Sequence, residues 1–213
     1  MKSYKISKGL AVFIAIAGVS VMAGWIFDIG VLKSILPMWI NMKFSTALCF
    51  LLSGVAVYLI AKFQERKSVA AQVILPLVSL ILLLFMASFL VSSFLGVRLG
   101  IEDLFIKEAP QEMFVKDWIP GKPSVVTMLA FIMIAIAGIL TMLNVTNLKS
   151  KLLFLGGIIT ILGGSAVAGY LMNVPFLRYD IKGWSNPMAA HTSILFVLIG
   201  LSLILLGRKK SEG

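Results

Sequence analysis

VILPLVSLILLLFMASFLVSSFL, residues 73–95, runs for 23 positions without an Asp, Glu, Lys or Arg. About 20 apolar residues in an α-helix cross the roughly 30 Å of a bilayer's hydrocarbon core. The stretch spans it even if Pro76, close to its start, is the residue that opens the helix. Five more charge-free stretches have the same character: Gly9–Phe27, Phe44–Ala61, Val125–Leu143, Leu152–Met172 and Met188–Gly207. A membrane barrel would instead show segments of about ten residues with alternating polarity, and none is present. The chain is 60% apolar and 13% charged, with a mean hydropathy of +1.03, beyond what a water-facing surface tolerates. The fold class that follows is an all-α integral membrane protein of six transmembrane helices, with residues 1–213 forming a single membrane domain.

The segments between the spans give the orientation. The N-terminus, the second and fourth loops and the tail hold eleven cations (Lys2, Lys5, Lys8, Lys62, Arg66, Lys67, Lys149, Lys151, Arg208, Lys209 and Lys210) against Glu65 and Glu212. The first, third and fifth loops hold eight cations against seven acids. Lys and Arg collect on the cytoplasmic side of short loops, so both termini are expected inside. The net charge of +10 is then an orientation signal. Its cations are divided among loop ends without a continuous basic face, which argues against nucleic-acid binding. Val21-Met22-Ala23 before Gly24 resembles a secretory cleavage site, but the apolar run before it exceeds the usual signal core of roughly 7–15 residues. Residues 1–23 are expected to stay in the mature chain.

Aligning the even-numbered spans on threonine gives Thr46-Ala-Leu-Cys-Phe50, Thr127-Met-Leu-Ala-Phe131 and Thr192-Ser-Ile-Leu-Phe196, each followed a turn later by Gly54, Ala135 or Gly200. Met42, Pro123 and Met188 precede the threonines by four residues. The odd spans end alike, at Gly24-Trp25-Ile26, Ser93-Phe94-Leu95 and Gly169-Tyr170-Leu171. The chain therefore reads as three similar helical hairpins, about residues 9–61, 73–143 and 152–207. Residues at spacing four share a helix stripe, so Thr, Phe and the small residue form a packing motif in which the small residue admits a neighbouring helix. Leu at Gly54 or Gly200 should disturb that packing, whereas Ser53 and Leu205 serve as expected lipid-facing controls. Asn186-Pro187 reads as a helix cap followed by a first-turn proline.

The run LPMWINMKFSTALCFLLSGVAVYL, with PGKPSVVTMLAF and NPMAAHTSILFVLIGLSL after it, resembles the multi-span sensor regions that precede PAS, histidine-kinase or diguanylate-cyclase modules in bacterial signalling proteins. That resemblance covers nearly the whole chain. It implies the plasma membrane of a prokaryote and a non-catalytic input module. Only Arg-Lys-Lys-Ser-Glu-Gly follows Gly207, so the output is expected on a separate cytoplasmic signalling protein. The other reading is a structural or assembly subunit of a membrane complex. Both readings have the lipid bilayer as a partner and allow a homodimer.

Chemistry-bearing residues are scarce. One histidine, His191, and one cysteine, Cys49, cannot supply a hydrolytic triad with a second base or a typical zinc site, and bis-histidine haem is excluded by count. No ionisable group interrupts the spans to mark an ion pathway. No catalytic residue, metal or cofactor is expected. Recognition is left to the outer face, where Trp39, Trp118, Trp184 and His191 stand near points of membrane re-entry. The indoles suit an interfacial aromatic belt, and a cleft between hairpins that admits a lipid, quinone or small apolar molecule is the alternative.

Overall fold

Backbone in hydrocarbon must satisfy its own polar groups, which a helix does within one segment. The computed structural model, which describes residues 2–36, 38–65, 68–97, 100–101, 121–181 and 184–208, follows that rule. Its helices are α1 (Lys2–Ile26), a short α2 (Gly30–Lys33), α3 (Phe44–Glu65), α4 (Val69–Leu95), α5 (Val125–Met142), α6 (Leu148–Leu171) and α7 (Ala190–Gly207). All but α2 are long and apolar enough to cross a membrane, so the chain is an all-helical, multi-pass membrane protein. Two local expectations are corrected. α4 begins at Val69, which puts Pro76 inside the helix. Asn186-Pro187 does not start α7, whose cap is Ala189; Asn186 instead donates its side-chain amide to the Lys122 carbonyl at 2.7 Å.

Three spans form an inner layer and three an outer one. Buried residues make up 72%, 56% and 61% of the most apolar windows of α3, α5 and α7, against 28%, 33% and 33% for α1, α4 and α6. The most extensive pairings are α1 with α3, α4 with α5 and α6 with α7. Each inner helix also touches the outer helix of the next pair: α3 meets α4, α5 meets α6 and α7 meets α1. The last seam carries reciprocal hydrogen bonds, from Ser7 Oγ to the Ser202 carbonyl at 3.2 Å and from Ser202 Oγ to the Ser7 carbonyl at 3.3 Å.

Glycine makes the closest approaches. A Cβ on Gly54 would stand 2.6 Å from the Ala11 carbonyl oxygen of α1, and one on Gly200 would stand 2.6 Å from the Gly156 carbonyl oxygen of α6. The outer helices stop with one geometry. Asp28, Gly96 and Asn173 adopt positive φ, and the next amide in each case, Ile29, Val97 or Val174, donates five residues back to Gly24, Ser92 or Gly169. Gly, Asn and Asp enter this left-handed region most readily. In α4 the shared position is therefore Ser92, one residue before the Ser93 of the sequence alignment.

Candidate functional site

The starts of α3, α5 and α7 lie at the same end of the bundle and are stitched together. Ser45 Oγ donates to the Gly121 carbonyl at 3.2 Å, and the Val125 amide donates to Ser185 Oγ at 3.3 Å. Ser124 caps α5 by accepting from the Thr127 amide at 3.0 Å, and its hydroxyl lies 2.7 Å from that of Thr127. Between these helix starts is a cavity of about 10 Å³, room for one water or small ion. Thr46, Thr127 and Thr192 all line it, with Lys43, Lys122 and Ser124. Thr46 and Thr192 are buried. Three helix N-termini and these hydroxyls make the junction polar and rich in hydrogen-bond donors.

One turn deeper, Phe50, Phe131 and Phe196 meet. Their ring centroids are 4.9, 5.0 and 4.9 Å apart, tilted or edge-on, and all three side chains are fully buried. Such pairs favour offset and edge-to-face geometry over flat stacking. The structure thus brings the threonines to one cavity and the phenylalanines to one cluster. The small residues do not share that point: Gly54 faces α1 and Gly200 faces α6, while Ala135 is buried on α5. Ser53, expected to face lipid, is fully buried with its hydroxyl unpartnered, because α3 is surrounded by α1, α4, α5 and α7.

The outer-face aromatic residues do not converge. Trp39 packs on Tyr170 at 4.8 Å, and the Tyr170 hydroxyl donates to the Met188 carbonyl at 2.8 Å. Trp184 is exposed. Trp118 lies outside the described residues. His191, one residue from Thr192, points elsewhere and lines a separate, mostly apolar cavity of about 200 Å³ between α1, α2 and α7. At the opposite end, where α1 begins and α7 ends, an open cavity of about 610 Å³ is lined by Tyr4, Gln64, Glu65, Asn144 and Lys149. Gln64 Nε2 is buried there without a partner.

Sequence reading missed Lys43 and Lys122, which count as loop cations by position. Their signal was proximity: both stand within one to two turns before a motif threonine. It also missed Ser124 as a cap, although Ser three residues before the Thr127 amide is a usual capping arrangement.

Fold and site together define a helical membrane protein with six spans among the described residues and a polar junction at one end of its inner helices. Comparison with protein-family models, curated proteins and solved structures finds no match.

Proposed function

We propose that this chain is the input module of a prokaryotic plasma-membrane signalling system, with both termini cytoplasmic, and that it acts through a separate partner without catalysis of its own. The observation that carries the reading is the junction, where all three inner helices begin at one small cavity above one phenylalanine cluster. An event there bears on every helix pair at once, because each inner helix packs on its own outer helix and on that of its neighbour. A sensor must bind one arrangement of its elements better than another, and a shared junction offers a place where one contact biases all of them. The other end supports the partner. Its wide, open cavity, lined by Tyr4, Gln64, Glu65, Asn144 and Lys149, offers polar side chains to a docking protein.

The basic loops agree with this orientation through the positive-inside rule. A photo-crosslinking residue at Asn147, on the rim of the wide cavity, should capture a protein bearing kinase, cyclase or PAS modules in the native cell. Capture confined to the subunits of one stoichiometric membrane complex would replace this reading with that of an assembly subunit.

A further inference from the structure

We propose that α4 is hinged at Pro76, so that its arm Val69–Leu75 swings at the end bearing the termini, with the Ser79 hydroxyl as the latch between two arrangements. The helix runs from Val69 to Leu95 with the proline inside it. Proline has no N–H, so the Gln72 carbonyl one turn back loses its helical partner and is crowded by the ring. Sharp bends in helices fall at such points.

The packing puts a pivot at the same place. A Cβ on Gly138 of α5 would stand 2.1 Å from Ser79 Oγ, 3.2 Å from Ser79 Cβ and 3.3 Å from Leu75 Cδ1. Leu75 and Ser79 stand on either side of Pro76, so α4 crosses α5 where its hydrogen-bond ladder is broken. The two sides of that crossing are held unequally. Between Val69 and Ile74 only Ala71 is buried, whereas Val69, Val73 and Ile74 are 74%, 67% and 41% exposed. Past the pivot, Val78, Leu82, Met86 and Phe89 are all buried in the bundle. A single buried methyl group holds the arm, and segments with so few buried apolar contacts move at the lowest cost.

Ser79 supplies the second arrangement. Its hydroxyl is buried and has no partner in this one. Nearly all buried polar atoms in folded proteins are satisfied. A serine hydroxyl in a helix bonds to the carbonyl one turn back, here that of Leu75, and this bond bends the helix. The arm therefore has a state with the bond and a state without it. An arm of seven residues is about 10 Å long, so a bend of about 20° moves its tip by roughly 4 Å.

Spin labels at exposed Gln72 on the arm and Lys151 on α6 read the hinge by electron–electron double resonance in nanodiscs, in the full chain with Cys49 replaced by Ala. The Gln72–Lys151 distribution should be split or broadened by roughly 4 Å, the displacement of the arm's tip. A label at Leu84, past the pivot, should give a single narrow distribution with Lys151. Pro76→Ala restores the missing N–H and should narrow the Gln72 distribution to the width of the Leu84 one. Ser79→Ala removes the latch with little change of volume and should move the weight of the Gln72 distribution to one side. A narrow Gln72 distribution in the parent, a broad one that survives Pro76→Ala, equal breadth at Leu84, or a distribution indifferent to Ser79→Ala overturns the proposal. The hinge does not rest on the input-module reading, and crosslinking at Asn147 reads the partner independently, so the two ideas fail separately.

Discussion

Gly200 shows how little room the helices leave at their crossings. A Cβ there would lie 2.2 Å from Thr160 Oγ1 and 2.6 Å from a backbone oxygen, and Gly54 is as confined against α1. Gly200→Leu and Gly54→Leu should each destabilise the protein by at least about 1–3 kcal/mol, the usual cost of overpacking, seen as a lower unfolding midpoint in detergent. Gly157, whose added Cβ would meet nothing within 4 Å, is the control, and Gly157→Leu should leave the midpoint near that of the parent. Phe131 tests the cluster, where Phe131→Ala should cost about 3–5 kcal/mol through the lost contacts and the cavity left behind. Its effect should be non-additive with Phe196→Ala, because the rings touch. At the same end, Asp28 pairs with the buried Lys33, whose hydrogen bond and then its charge lower the Asp28 pKa from 3.8. A lowered folded pKa stabilises at neutral pH and is lost as pH falls through it. Asp28→Asn should therefore flatten the acid limb of a stability-against-pH curve below about pH 4.

Element by element, the six spans were legible because the bilayer fixes their length and forbids charge within them. Which helices lie inside was not. A soluble helix shows its buried face as an apolar stripe, whereas lipid and protein core are both apolar, so α3 and α1 look alike in sequence while one is central and the other peripheral. Ser53 was assigned to lipid for that reason. Thr46, Phe50 and their counterparts stood out as a repeated spelling, yet spelling did not reveal that Gly54 and Gly200 turn towards the outer helices. His191 was visible as a singleton, but its cavity was not, because four-residue α2 supplies one wall. α1 packs on α3 through Gly54 and on α7 through Ser7, so the mature protein should retain it. Intact mass should show residues 1–23 present, and an N-terminus at Gly24 would contradict this.

On the scale of the whole molecule, cyclic packing of three helix pairs makes the junction and the termini two ends of one body. Reporters fused after Lys67 and Lys149 should read cytoplasmic, and one fused after Lys33 should read external. A reversed result would remove the proposed partner-facing side. The central claim is that a change at the junction is felt at the end bearing the termini. Spin labels at Lys62 on α3 and Lys151 on α6 report that end in nanodiscs by electron–electron double resonance, with buried Cys49 replaced by Ala. Thr127→Trp, which forces bulk into the cavity between the helix starts, should shift or split the Lys62–Lys151 distance distribution while the protein remains folded. A distribution superimposable on that of the parent would mean that the helix pairs form a static scaffold, and it would contradict the input-module account.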